Sequence, residues 1–318
     1  MQQELALRGI VIEMPGRSFS GPLPKLTAEQ QRVQDRVQAD LEQLAGTIGE
    51  RNLTHSEAYA RATQFIENRL AAGGHKVRRQ TFQVKGRPCV NLEAEIPGSA
   101  RPDEIVVVGA HYDSAQGTPG ANDNGSGVAA VLNLAELLAG HKLDRTIRLV
   151  AFANEESPYF GTDAMGALVY ARECQQRGDK IVAMMSLETI GYYDDAPGSQ
   201  KYPPPFHQFY PTTGNFLAFV GNMESAGLVQ EMVGSFRRHA QFPCEGGAAP
   251  AQIEDISRSD QVAFWQCGYP GVMVTDTANF RYPHYHQPSD TPDKVNYDRL
   301  ARVVTGLRDV ILEMTGRK

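Results

Sequence analysis

Imidazoles and carboxylates recur in this chain directly after short apolar runs. His111 and Asp113 follow Ile105–Ala110, and a glycine-rich stretch carrying Asp123 comes next. Glu155 and Glu156 follow Thr146–Ala153, and Glu188 follows Ile181–Leu187. Asp276, His284, His286 and Asp290 follow Val272–Thr275. Carboxylates gathered without compensation repel one another and become harder to ionise, a cost that divalent cations remove. Two imidazoles with three or four carboxylates suit zinc first, and also manganese or cobalt. Lys and Arg are scarce in these segments, so ion pairs offer a poor substitute. Asp113 stands two residues from His111, where its carboxylate could orient the imidazole from behind.

Each residue alone also has a plain structural reading. A single His at a strand end usually packs, and Glu155-Glu156 alone would pass for a solvated loop. The stretch Gly117–Gly127 lacks both phosphate-cradling patterns, G-x-x-x-x-G-K-[ST] and G-x-G-x-x-G. No G-x-S-x-G elbow and no H-E-x-x-H helix is present, which sets aside serine hydrolases and the helical zinc proteases. It is the shared strand-end position that favours a metal site.

The elements that must deliver these groups are legible in the pattern. Thr27 with Gln30 fits a capping box and opens a helix to about Leu44. A second helix covers about Ser56–Ala71 and stops at Gly73-Gly74. Val77–Val84 and Val90–Ile96 alternate as two strands joined by Lys85–Pro88. From Ile105 onward strands alternate with helices. The strands are Ile105–Ala110, Thr146–Ala153, Ile181–Leu187, Phe216–Val220 and Val272–Thr275. The helices are Gly127–Ala139, Thr162–Arg177, Ser225–His239 and Tyr297–Met314. This order predicts an α/β fold: a single domain with a central mixed, largely parallel β-sheet sandwiched by helices. Residues 1–26 read as an N-terminal arm and 27–318 as the catalytic domain. Gly191–Asn215 and Gln241–Arg258 read as long loops, a length that is usually functional in a compact domain.

Composition narrows the classes further. Hydrophobic residues make 41% and charged residues 21% of the chain, an ordinary globular balance. The net charge of −6 speaks against a basic nucleic-acid binder and against a polybasic membrane-surface protein. No apolar run approaches the length of a membrane span. Four scattered cysteines make no disulfide scaffold. Leu5–Ile12 is short, broken by Arg8 and lacks a basic lead, so no signal peptide is read. A cytoplasmic protein is the expectation, with an exported one recorded without its leader as the alternative.

Five segments in order carry a resemblance: Gly109–Ser114, Gly120–Gly127, Phe152–Glu156, Ser186–Gly191 and His286–Lys294. Together they resemble the zinc aminopeptidase family of bacterial leucyl aminopeptidase, peptidase family M28, over about Glu50 to the C-terminus. The resemblance implies a zinc-dependent exopeptidase fold and two divalent metal ions, zinc foremost. It implies His111 as ligand of one metal, Asp123 as the bridging carboxylate, and Glu156 with His286 as ligands of the second. Glu188 stands where the family has an aspartate closing the first site, one methylene longer. Glu155 takes the place of the general base and Asp113 that of the partner of His111. A cis peptide is expected at Asp123–Asn124. Ser259-Asp260-Gln261 departs from the family's Ser-Asp-His and reads as a helix entry, and Asp290 reads as a brace for the His286 loop. Tyr192, Tyr193, Tyr269, Tyr282 and Tyr285 are candidates for stabilising an oxyanion. The implied substrates are peptides or proteins with a free N-terminus. The chief alternative is a glutaminyl cyclase using one zinc on the same fold, followed by a non-catalytic binding module and a two-metal carboxypeptidase or deacylase.

Overall fold

The computed structural model describes residues 9–203 and 206–316. Its centre is an eight-stranded sheet in the order β1-β2-β4-β3-β5-β8-β6-β7. The strands are β1 (Val77–Val84), β2 (Arg87–Ile96), β3 (Arg101–His111), β4 (Arg145–Phe152), β5 (Lys180–Glu188), β6 (Leu217–Asn222), β7 (Cys244–Ala249) and β8 (Gly271–Thr275). The four central strands β4-β3-β5-β8 run parallel, while β1, β2 and the β6–β8 pair bring in antiparallel ladders. The sheet is therefore mixed, as the hairpin near Val77–Ile96 predicts.

Helices cover both faces. They are α1 (Ala28–Leu41), α2 (Ser56–Ala72), α3 (Gly127–Leu138), α4 (Gly166–Arg177), α5 (Ala226–His239), α6 (Gln261–Gln266) and α7 (Tyr297–Met314). Successive residues of β3 enter different cores, because strand side chains alternate between faces. Val106, Val108 and Ala110 join the larger cluster with α1, α2, α3 and α7. Ile105 and Val107 join the smaller one with α4 and α6. A strand buried on both faces needs a continuous apolar run, and Ile105–Ala110 supplies it. Burying such side chains contributes about 1.5–3 kcal/mol each, so the central strands are a stiff platform for the loops that leave their carboxyl ends.

Capping chemistry sets the first helix. The Thr27 hydroxyl accepts from the Gln30 N–H, and the Gln30 side chain accepts from the Thr27 N–H. The regular helix ends at Leu41, three residues before the sequence boundary, and continues as a wider coil over Glu42–Ile48. The fourth helix begins at Gly166 instead of Thr162. A Cβ at Gly166 would lie 2.3 Å from the Ala153 carbonyl oxygen, so the helix start is pinned by its approach to β4. Strand β7 lies inside Gln241–Arg258, which the Gly/Ala/Pro content marks as a loop. Cys-Glu-Gly-Gly-Ala-Ala has weak intrinsic strand preference, and pairing with β6 overrides it. Residues 9–26 of the arm cross the β7 edge and α5: Val11 bridges Ala248, and Arg237 donates to the carbonyls of Met14, Pro15 and Gly16. Residues 1–8 of the arm lie outside the described residues. No helix among the described residues is long and apolar enough to cross a membrane.

Candidate metal centre and active site

The chain leaves β3 toward β4 and leaves its neighbour β5 toward β6, in opposite directions, and the crevice at such a switch point is where α/β sheets place ligands. His111 is the last residue of β3 and Glu188 the last of β5. Glu155 and Glu156 occupy the turn after β4, and His286 the loop after β8. Asp123 lies in the turn that enters α3, and its peptide bond to Asn124 is cis, as the resemblance leads one to expect. Asn154, Thr189 and His286 adopt positive φ (56°, 43° and 54°). Such backbone is costly for side chains with a Cβ and persists where surrounding contacts dictate it.

All seven sequence-derived candidates converge. His111 Nε2 lies 3.3 Å from Glu188 Oε2, 3.4 Å from Asp123 Oδ1 and 3.7 Å from Glu155 Oε2. His286 Nε2 lies 2.9 Å from Asp123 Oδ2 and 3.3 Å from Glu156 Oε2. Asp123 thus turns one oxygen to each imidazole. The His111 side chain is 1% exposed and that of His286 40%, so the crevice opens on the His286 side. Asp113 approaches His111 Nδ1 through its backbone oxygen at 3.2 Å and its Oδ1 at 3.4 Å. Its carboxylate also accepts the N–H groups of Glu155 and Glu156, each at 3.0 Å. One residue therefore orients an imidazole and the backbone of two acids together. Asp290 braces the Asp123 turn: its carboxylate accepts the N–H of Asn122 at 2.8 Å and of Asp123 at 3.0 Å, and the Tyr282 hydroxyl at 2.6 Å.

Without cations the electrostatics of this cluster are strained. Burial, and then the facing Asp123, pushes Glu156 up to about 7. Burial raises Glu155 well above the usual carboxylate range, with Glu156, Glu188 and Asp260 adding to it. Burial opposes the charge on His286, but Asp123 and Glu156 outweigh it and lift the imidazole to about 10. His111 Nε2, Asp123 Oδ1 and Glu156 Oε1 are buried without a hydrogen-bond partner. Two sets of side chains, His111-Asp123-Glu156 and His111-Glu155-Glu188, bring ligand atoms within 4.8 Å of one another. Ligands about 2.0–2.1 Å from a tetrahedral zinc ion lie about 3.3 Å apart, so the residues present fit such ions.

Arg51 escapes the sequence pattern altogether, and Ser259 and Asp260, which it reads as a helix entry, join the site. The Ser259 hydroxyl donates to Glu188 Oε2 at 2.6 Å and contacts Ser186 Oγ at 3.0 Å, bracing the longer acid. Asp260, which starts α6 as expected, is fully buried, and burial pushes it up to about 8. Arg51 is a fully buried cation close enough to feel Asp113, Asp123, Glu156 and Asp290. No motif marks it; it reaches the site from the turn between α1 and α2. Of the five tyrosines, Tyr193, Tyr269 and Tyr282 donate their hydroxyls to Ile190 O, Asp179 O and Asp290, and Tyr192 packs on Tyr282. Tyr285 stacks on His286 with ring centroids 4.0 Å apart and lines a pocket together with Glu188.

That pocket encloses about 930 Å³, mouth included. Phe206, Phe216, Phe219, Phe280, Tyr202 and Tyr210 contribute rings to its lining, four residues of 200–206 and Tyr210 coming from the Gly191–Asn215 stretch. Ala218, Gly247 and Ala249 of the sheet also line it.

A switch-point crevice of imidazoles and carboxylates beside an apolar pocket defines a metal-dependent hydrolase on an α/β scaffold. Residues 91–311 match the model of Peptidase family M28, and the chain belongs to that family of metallopeptidases. The chain is 35% identical over 282 residues to uncharacterized protein YfbL of Escherichia coli (strain K12), covering 86% of each. It spans about half the length of other curated relatives, such as a probable zinc metalloprotease of Pyrenophora teres f. teres (47%) and leucine aminopeptidase 1 of Arthroderma otae (56%). Among solved structures it is similar to the aminopeptidase from Aneurinibacillus sp. strain AM-1, with TM-score 0.68 and 15% identity over 91% of this chain and 97% of that one. It is also similar to Porphyromonas gingivalis glutaminyl cyclase, with TM-score 0.67 and 20% identity over 88% and 98%. At such identities these two likenesses speak to the fold.

Proposed function

We propose that this protein is an aminopeptidase that hydrolyses the first peptide bond of peptides with a free N-terminus, using two zinc ions. The observation that carries this reading is Asp123, whose two oxygens face two different imidazoles, each with a further acid beside it. His111, Asp123 and Glu188 would hold one ion, and Asp123, Glu156 and His286 the other. Bound there, a cation pair acidifies water and polarises a carbonyl. Glu155, its backbone clamped by Asp113, takes the proton of the attacking water and returns it to the departing amine. Tyr285, stacked on His286 and lining the pocket beside Glu188, would donate its hydroxyl to the oxygen that gains charge. The apolar pocket receives the first side chain.

Steady-state assays on anilides of leucine, phenylalanine, alanine and glutamine, and on N-acetyl-leucine anilide, test this. Leucine and phenylalanine anilides are expected to exceed alanine in kcat/KM by about tenfold to a hundredfold, from about 1.5–3 kcal/mol of side-chain burial. The acetylated substrate is expected to be inert. Cyclisation of the glutamine compounds with no hydrolysis of the leucine anilide would replace this reading with the single-zinc cyclase.

Glu188→Asp is expected to leave a working enzyme. Shortening the side chain withdraws the carboxylate from Ser259 and changes zinc affinity at one site by about tenfold. Two-site zinc titration against a chromophoric chelator checks it; unchanged affinity at both sites would remove Glu188 from the ligand set.

A further inference from the structure

Arg51 is 0% exposed, yet among the described residues it makes no ion pair with a carboxylate. A buried guanidinium normally takes a carboxylate partner, because its five donors and charge are costly to leave unmatched. Here the partners are backbone carbonyls. Nε donates to Tyr112 O at 2.7 Å, Nη2 to Gly120 O at 2.8 Å, and Nη1 to Pro119 O and, at 3.3 Å, to Gly49 O. The backbone of Arg51 adds two bonds: its N–H donates to Ser114 Oγ at 3.1 Å, and its carbonyl accepts the Ser114 N–H at 3.0 Å. Ser114 Oγ in turn donates to Thr118 O at 2.9 Å.

These contacts grip both ends of one segment. Tyr112 lies between His111 and Asp113, and Gly120 is three residues before Asp123. Gly120 has φ +61°, and a Cβ there would lie 2.4 Å from Asp123 O and 3.4 Å from Arg51 Nη2, so the turn closes directly over the guanidinium. We propose that Arg51 is a positioning residue: its guanidinium ties the carbonyls that flank Asp113 and precede Asp123, and so fixes the spacing of the two acids on which the paired-ion site depends. Its charge reaches the acidic cluster through space and occupies no carboxylate oxygen that a cation needs. A lysine has the charge but not the fork, and cannot reach three carbonyls in one plane.

The inference rests on the two-zinc reading, and the experiment separates them. Zinc affinity is measured by chelator competition, and kcat and KM on leucine anilide, for wild type, Arg51→Lys, Ser114→Ala and Arg69→Lys. Arg69 is a control: it is a half-buried arginine paired with Asp40 at 2.7 Å, between α2 and α1. Arg51→Lys is expected to weaken zinc binding about tenfold or more and to lower kcat by a similar factor, with KM within about threefold. Ser114→Ala, a milder cut in the same clamp, should move both in the same direction, and it decides the matter if Arg51→Lys does not fold. Arg69→Lys should lower the Tm while leaving zinc affinity and kcat unchanged. Zinc affinity and kcat that stay at wild-type values in Arg51→Lys or, where that variant does not fold, in Ser114→Ala overturn the proposal. So does a loss that tracks Tm equally in all three variants. A wild-type protein that binds no zinc overturns the underlying reading instead.

Discussion

Glu155→Gln is expected to lower kcat by about 10²–10⁴-fold while the zinc content stays at the wild-type level. Glutamine matches glutamate in size, and the two N–H groups that Asp113 accepts belong to the backbone of residues 155 and 156, so the turn keeps its anchor. What is lost is a group able to accept a proton and give it back. Burial and neighbouring acids raise Glu155 in the cation-free protein, and bound cations would oppose that rise. The expected loss corresponds to about 3–5 kcal/mol of transition-state stabilisation. Steady-state turnover with parallel elemental analysis measures it. Turnover within about tenfold of wild type would exclude Glu155 as the proton carrier, and loss of zinc in the variant would make it a ligand instead.

Where the pattern was strong, the fold was readable from residues alone. The Thr27 capping box, the Gly73-Gly74 stop and the apolar run of β3 each state their own local structure, and the alternation of strands with helices fixes a parallel centre. The failures share a cause. Strand β7 has little preference of its own and exists because β6 offers a ladder; at Gly247 a Cβ would lie 2.4 Å from Tyr210 Oη, so a side chain there would displace that ring. Nothing within Cys244–Ala249 announces either neighbour. The start of α4 is likewise set by contact with Ala153, outside the helix.

The site divides in the same way. His111, Asp113, Asp123, Glu155, Glu156, Glu188 and His286 could be nominated because each follows a strand or opens a glycine-rich turn, and strand ends share an edge. Asp113 shows what nomination leaves out: read as a partner of His111, it also holds the Glu155-Glu156 backbone. Arg51 was invisible for the converse reason, and Ser259, read as part of a helix entry, gave no sign of its bond to Glu188. Both act on carbonyls or on another acid across tens of residues of chain. Tyr285 was one of five equivalent tyrosines until the structure committed three of the other hydroxyls to hydrogen bonds and packed Tyr192 on Tyr282.

Removal of metal should abolish activity, and zinc or cobalt should restore it, but the sharper result lies in stability against pH. In the cation-free protein, Glu156 stands near 7 and His286 near 10, and Glu155, Glu188 and His111 are raised as well. All five therefore bind more protons folded than unfolded once pH passes their ordinary values, and between pH 5 and 8 Glu156 does so up to about 7 and His286 from about 6.5 upward. Stability changes with pH as the proton count of the unfolded state minus that of the native state, which is negative here. The chelated protein should lose stability as pH rises across that window. Asp123 is held low by the two imidazoles once burial is outweighed, and its opposite contribution is confined to more acid pH. Metal binding replaces those protons, so zinc affinity should grow over the same range. At free zinc a hundredfold above Kd the bound ion adds about 2.7 kcal/mol per site, enough for a Tm rise of several degrees. The Tm gap between zinc-loaded and chelated protein is thus expected to widen steadily from pH 5 to pH 8 in calorimetric scans. A gap that stays flat or narrows with rising pH, or full turnover after exhaustive chelation with no metal detected, would mean that protons and cations do not compete for these side chains.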